Sequence, residues 1–242
     1  MKIVDCIWEI ANIGKKTCEI TLSPDELIEE SALQQLCKEY EYVVVKISTT
    51  NMHNSLLLGK IGFSFAETQI AIQKDVHNQQ EIIDSIASFY LKNSCVERVV
   101  NEEQLKDVLN KMSSNMFTTD RIYLDPYFGA EYSLNRYRNW MRTEYEKGTP
   151  IYELKYKTNR VGFIMCRKDA NVTDALLGGI YENYQNRGLG ILLPLVPYMM
   201  LDKIDWYRTR ISSNNLPVWK MYERLHYAIT NFEYIFIKHN EI

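Results

Sequence analysis

Residues 178–194 read GGIYENYQNRGLGILLP, and four of the chain's ten glycines, Gly178, Gly179, Gly188 and Gly190, lie inside them. Glycine loses more conformational freedom on folding than other residues, so a cluster implies a tight turn or a close approach to the backbone. The run before it, TDALLGGIY (173–181), reads as a strand. The run after it is an apolar helix opened by Gln185-Asn186-Arg187-Gly188-Leu189-Gly190. Such a turn leaves backbone N–H groups unpaired, and the helix dipole favours anions at that end. A pyrophosphate is the natural guest. A plain strand-to-helix turn is the simpler alternative, since the pattern Q/R-x-x-G-x-G/A arises by chance about once in four chains of this length. The stretch is neither a dinucleotide-binding G-x-G-x-x-G nor a phosphate loop ending in G-K-[ST].

Working outward, IYELKYK (151–157) and RVGFIMCRK (160–168) alternate as strands before the turn. The strand WYRTRIS (206–212), a helix over 215–225 and the strand FEYIFIK (232–238) follow it. Upstream, VERVV (96–100) is a strand, Asn101 caps a helix with Gln104 at N3, and a second helix runs from about Glu131 to Tyr145. Between those helices TTDRIYLDPYFGA (118–130) reads as a loop rich in Asp, Pro and aromatic residues. The N-terminal stretch is a β-α-β-α-β piece: CEITLSP (18–24), a helix opened by the capping box Ser23-Pro24-Asp25-Glu26, YVVVKIS (42–48), a short helix near Ser55–Leu58, and FSFAETQIAIQ (63–73). A helix over 77–92 connects to the rest. The expected division is 1–93 and 94–242, giving an α/β (α+β) fold with a mainly antiparallel mixed sheet flanked by helices and preceded by a smaller β/α domain.

The 242 residues suffice for one large or two compact units. A net charge of −3 offers no field for nucleic acid. The longest apolar run, Ile191 to Leu201, carries Pro194 and Pro197 and is too short to span a bilayer. Each proline is expected to kink or shorten the helix after the turn. Five scattered cysteines without C-x-x-C argue for reduced thiols in the cytoplasm, and four histidines without ligand spacing argue for no metal. No leader with an uninterrupted apolar core opens the chain.

The order from Val96 to Lys238, with QNRGLG after the fourth strand and N-x6-Y (Asn215 to Tyr222) in the last helix, resembles the GNAT superfamily of acetyl-CoA-dependent N-acetyltransferases. Across the whole chain, FSFAETQIAIQ, DRIYLDPYFGAEYSLNRYRNWM and RTRISSNNLPVWKMYERLHYAITNFEYIFIK are similar to the TDP-fucosamine acetyltransferases, which acetylate a dTDP-linked 4-amino-4,6-dideoxy sugar for surface polysaccharide.

The resemblance implies acetyl-CoA as co-substrate, a small-molecule amine as acceptor, no metal and, as one option, a homodimer. It implies that the fourth and fifth strands splay and that Gly179, Ile180 and Tyr181 hold the pantetheine arm, with an N–H near Ile180 polarising the thioester carbonyl. The pyrophosphate then lies on Asn186, Arg187, Gly188, Leu189 and Gly190, with Gln185 fixing the turn. Tyr222 matches the general acid, although Val218, Met221, Tyr222 and Leu225 also form an ordinary core stripe at helical spacing. Asn215 is a helix cap, a partner for CoA, or both. Glu182 is a candidate base or a solvated turn residue. Tyr123, Asp125 and Tyr127 are where a sugar nucleotide could lie, or part of a packed lid. His226 stands where the family usually has Gly, a position that calls for φ > 0. Other acceptors (a peptide, a polyamine, an antibiotic amine), a non-catalytic CoA-binding module and an interaction protein without a CoA site are the alternatives.

Overall fold

The computed structural model of the chain describes residues 1–76, 85–200 and 205–240. The strands are β1 (Lys2–Asp5), β2 (Thr17–Thr21), β3 (Tyr42–Ser48), β4 (Ser64–Asp75), β5 (Ser94–Arg98), β6 (Ile151–Tyr156), β7 (Asn159–Asp169), β8 (Val172–Ile180), β9 (Trp206–Ser212) and β10 (Ala228–His239). The helices are α1 (Glu9–Ile13), α2 (Glu30–Cys37), α3 (Met52–Lys60), α4 (Ser85–Lys92), α5 (Glu102–Lys111), α6 (Arg121–Leu124), α7 (Ala130–Glu146), α8 (Leu192–Met199) and α9 (Leu216–Arg224).

All ten strands join one sheet in the order β1-β2-β3-β10-β4-β9-β8-β7-β6-β5. Among the described residues, only β2/β3 and β8/β9 pair in parallel. The first 93 residues supply four strands, and β4 lies between β10 and β9, so the sheet runs on across that point of the chain. The central strand β3 is apolar on both sides, since Val43 and Val45 face one helical layer while Tyr42 and Val44 face the other. A strand buried on both faces needs such a continuous run.

Two helical layers cover the sheet. One face packs on α2 and α3 through Leu33 and Leu58, and on α4, α8 and α9 through Ala87, Leu195 and Tyr222. The other packs on α5, α6 and α7 through Leu105, Ile122, Leu134 and Met141, with α1 contributing Ile13.

The expected capping box at Ser23 forms only in part. Glu26 accepts from Ser23 N–H at 3.1 Å, yet the helix starts at Glu30 with Glu29 as its cap. The cause is tertiary. Asn54, fully buried, donates to the Glu26 carbonyl at 2.7 Å and accepts from Ile28 N–H at 3.0 Å, while Asn51 donates to the carbonyls of Pro24 and Glu26. These bonds take the backbone groups that an earlier helix would use.

Residues 85–92 of the expected connector are helical as α4, and 77–84 lie outside the described residues. The loop over 118–130 contains a one-turn helix, α6, capped by Asp120. Neither β1 nor α1 has a sequence signal strong enough to be read. Pro194 falls in the first turn of α8, where the missing N–H has no intrahelical acceptor. Pro197 is inside the helix, which ends two residues later. His226 has φ 56°, the left-handed conformation expected after the last helix.

Asn54→Ala strips two hydrogen bonds and leaves the buried Ile28 N–H unpaired, while Asn51 still serves the Glu26 carbonyl, a loss of about 1–3 kcal/mol. Urea unfolding should show a lower midpoint with an unchanged m-value.

Candidate active site

β8 and β9 pair only from Val172↔Trp206 to Ala175↔Thr209. The Thr209 hydroxyl donates to the Ala175 carbonyl at 2.9 Å, and Arg208 forks onto Asp174 at 2.8 and 3.0 Å. These contacts clasp the closed end. Beyond it, β8 continues to Ile180 and β9 to Ser212 without pairing. A register shift between Met165 and Cys166 makes Leu176 an extra residue on β8 directly after the last pair. Such a bulge bends its strand and increases its twist. The strands therefore part where the bulge sits.

Alternation along β7/β8 decides which peptide groups face the cleft. Tyr181 N–H donates to the Val161 carbonyl at 2.9 Å, so Tyr181 and Gly179 turn toward β7, while Gly178 and Ile180 turn toward the open side. Of the three predicted arm-holding residues, Ile180 alone presents its backbone to the cleft. Gln185 Nε2 donates to the Ile180 carbonyl at 3.1 Å, fixing the turn to the strand end. The Tyr181 side chain lies within the face covered by α5 and α7, its hydroxyl 3.1 Å from Glu153 Oε1.

In the turn, Asn186 (φ 58°) and Gly188 (φ 74°) are left-handed. Left-handed residues alternating with right-handed ones gather successive N–H groups into a concave nest for anions. Gln185 and Asn186 form a turn that closes on the Arg187 N–H, and among the described residues none accepts from the N–H of Asn186, Gly188, Leu189 or Gly190. Asn186 and Gly188 are exposed, so these donors stand open to a ligand. The Arg187 guanidinium lies 5.7 Å from the centroid of Tyr184. The Leu189 side chain is buried and anchors the turn to the core.

The glycines also make room for the protein's own side chains. A Cβ on Gly190 would stand 2.6 Å from Met221 Sδ of α9, and one on Gly188 2.9 Å from the Tyr90 hydroxyl. One on Gly179 would meet the Met116 methyl at 2.5 Å, and one on Gly162 the Gly179 carbonyl at 2.4 Å.

Tyr222 is 4% exposed, its ring 4.8 Å from Tyr227 in an edge-to-face contact. Burial holds its phenol above the usual range, so it stays protonated. Tyr227 donates to the Pro194 carbonyl at 2.8 Å, which ties the strand after α9 to α8. Asn215 is the α9 cap, accepting from Val218 N–H at 3.3 Å. Glu182 is exposed and accepts from Asn115 at 2.8 Å.

The three residues assigned to a sugar nucleotide lie elsewhere. Asp125 is buried and 2.8 Å from His239 Nε2, and Tyr127 stacks on the His239 ring at 4.1 Å. Tyr123 is half-buried in α6. His239 stands roughly 20 Å further along β10 than Glu233, which lies in the row Glu233–Gln69–Ser212 at the end of β9.

Sequence reading missed a second polar group, on the face opposite Tyr222. There Tyr42 Oη, Glu67 Oε2, Gln69 Oε1 and Arg121 Nε are buried without hydrogen-bond partners. Glu67 and Gln69 occupy the polar side of an alternating strand, a pattern that reads as solvent-facing. Here α6 and α7 cover that side.

A structure of a functionally unknown conserved protein from Staphylococcus epidermidis ATCC 12228 is similar over 93% of this chain and 85% of its own, with TM-score 0.62 and 13% identity. A GCN5-related N-acetyltransferase from Sphaerobacter thermophilus aligns over 88% of this chain and 66% of its own, with TM-score 0.58 and 10% identity. One from Kribbella flavida aligns over 93% and 82%, with TM-score 0.56 and 11% identity. The chain has the GCN5-related acetyltransferase fold. No family model and no curated protein matches its sequence. Among the described residues, no helix is long and apolar enough to cross a membrane.

Gly162→Ala should destabilise by about 1–3 kcal/mol, because its neighbour is a backbone carbonyl of β8 that cannot move aside. Gly190→Ala meets only the flexible end of Met221 and should cost less than half as much. Chemical unfolding of both variants checks the order, and the reverse order would contradict this packing.

Proposed function

We propose that the protein is an acetyl-CoA-dependent N-acetyltransferase. The observation that carries this reading is the set of unpartnered amides of Asn186, Gly188, Leu189 and Gly190, at the mouth of the cleft between β8 and β9. A diphosphate fits the chemistry of those donors, with Arg187 adding charge. The open edge of β8 fits an extended amide-bearing arm, with the Gly178 and Ile180 peptide groups as its partners. The Ile180 N–H is then the donor that polarises the thioester carbonyl.

In the transfer, the amine nitrogen bonds to the carbonyl carbon, the carbon–sulfur bond breaks, and the thiolate takes a proton. Tyr222 is the proposed proton donor, since its phenol is kept neutral by burial on the side of the sheet that carries α8 and α9. Glu182, on the exposed turn after β8, is placed to exchange protons with solvent. The acceptor we propose is the amine of a nucleotide-linked amino-deoxy sugar, as in the TDP-fucosamine acetyltransferases that the sequence resembles. The outer face of Tyr127, 72% exposed and backed by His239, offers a platform for the nucleotide end of such a substrate, roughly 20 Å from the end of β9.

A second reading has two observations in its favour. The Tyr90 hydroxyl and the Met116 methyl lie against Gly188 and Gly179, and Tyr222 packs as a core tyrosine, as in a module that binds without turnover.

Calorimetry should detect acetyl-CoA binding to the wild type and none to Gly188→Glu, whose carboxylate would repel the phosphates. A thiol-release assay should respond to at least one of a dTDP-linked 4-amino-4,6-dideoxy sugar, spermidine, an aminoglycoside and a peptide with a free N-terminus. Tyr222→Phe should bind acetyl-CoA normally and turn over about 10²-fold more slowly. Binding with no thiol release from any amine would leave the module reading standing, and no binding at all would end both.

A further inference from the structure

The buried polar group around Glu67 has no role in the fold that accounts for it. Glu67 is 4% exposed, and its Oε2 has no hydrogen-bond partner. Neither does Gln69 Oε1, on the same side of β4, nor Arg121 Nε, whose head group is beside the Tyr42 hydroxyl and close enough to feel the carboxylates of Glu19, Glu9 and Glu67. Neighbouring charges on this face are neutralised in pairs: Glu9 with Arg136 at 2.7 Å and Glu19 with Lys46 at 2.7 Å. Asp120 caps α6 and binds Ser133. Among the described residues, no carboxylate comes within ion-pair distance of Arg121. A buried polar atom without a partner is destabilising, more so when charged. Several in one place are costly unless something outside the chain completes them.

Their location relates them to the cleft. Gln69 pairs with Ser212, the last residue of β9, and Glu67 is the next residue on that face beyond the strand's end. The Ser212 hydroxyl stands beside the Glu67 carboxyl, and Ser213 N–H is fixed to the Thr68 carbonyl at 2.8 Å. Glu67 and Gln69 lie opposite Ile235 and Glu233 of β10, on the face of α6 and α7. Tyr222 lies on the other face. An amine adding to a carbonyl held between β8 and β9 approaches from one side of the sheet, and its sulfur leaves toward the other.

We propose that Glu67, Gln69 and Arg121 form the acceptor site, with Glu67 receiving the proton that the amine loses as the carbon–nitrogen bond forms. This deepens the acetyltransferase reading and rests on it. The ligand class is a primary amine on an oxygen-bearing scaffold: the amine meets Glu67 and Gln69 Oε1, and an oxygen of the scaffold accepts from Arg121 Nε. The proton taken by Glu67 returns to solvent, while the thiolate is protonated on the Tyr222 side, so the products are the amide and the free thiol.

Burial raises the Glu67 carboxyl above the ordinary range. The Ser212 hydroxyl and the charges of Arg121 and Lys46 oppose the rise, and Asp120 adds to it. The Tyr137 hydroxyl of α7 also faces this group.

The test uses the full-length protein, acetyl-CoA and whichever amine of the panel above releases thiol fastest. Glu67→Gln should keep wild-type affinity for acetyl-CoA in calorimetry and lose 10²–10⁴-fold in kcat. With an amine of low pKa, the wild-type acid limb of the kcat profile should disappear in the variant, and Glu67→Asp should restore part of the rate. The urea midpoint of Glu67→Gln should equal or exceed that of wild type, because a site residue is carried at a cost to stability. A Glu67→Gln enzyme that transfers at the wild-type rate with the wild-type profile overturns the assignment and leaves the acetyltransferase standing. Loss of activity with a large drop in midpoint also overturns it, showing a structural role. Wild type that binds no acetyl-CoA removes the function and the site together.

Discussion

The parting of β8 from β9 after Ala175 is the constraint on which the rest of the molecule turns. Parallel strands that stay paired leave no room between them. Here a single extra residue, Leu176, bends β8 at the point where the ladder stops, and Thr209 closes the last carbonyl. Exposed ion pairs such as Arg208–Asp174 are worth about 0–1 kcal/mol, so the clasp guides the register more than it holds the sheet together. What holds the strands is their other neighbours: β8 is paired along β7, and β9 along β4. The cleft is therefore an open seam in a sheet secured on both sides.

That seam gives the two faces of the sheet different chemistry. Under α8 and α9 the surroundings are aromatic and buried, with Tyr207, Tyr222 and Tyr227 grouped near Cys166. Their hydroxyls cannot ionise cheaply there. Under α6 and α7 the surroundings are ionic, and most of the charges are matched in pairs. The unmatched members, Glu67 and Arg121, sit with Gln69 and Tyr42. A neutral proton donor on one face and a buried carboxylate on the other is an arrangement suited to moving a proton off an incoming group and onto a departing one.

β4 has an unusual part in this. It comes from the first third of the chain, yet it is the strand that borders β9 and carries Glu67 and Gln69. The N-terminal stretch therefore does more than extend the sheet: it builds one wall of the proposed acceptor site. Asn51, the cap of α3, and Asn54 in its first turn hold the chain between β2 and α2 away from helical geometry.

By itself the sequence determined every long element whose period is local. β3 and β9 fall where their β-branched and alternating runs place them, Asn101 and Asn215 cap the helices they precede, and Gln185 through Gly190 make the turn that opens α8. Those features depend on residues within a few positions of one another, so a linear reading reaches them. Only the tertiary structure decided which strands adjoin, where β8 and β9 part, and that Asp125 serves His239 across the sheet. It also decided that the polar side of β4 is covered and not wet. Alternation records that Glu67 and Gln69 share a side, but not what lies over it. That depends on α6 and α7, more than fifty residues away, and no local pattern carries the information.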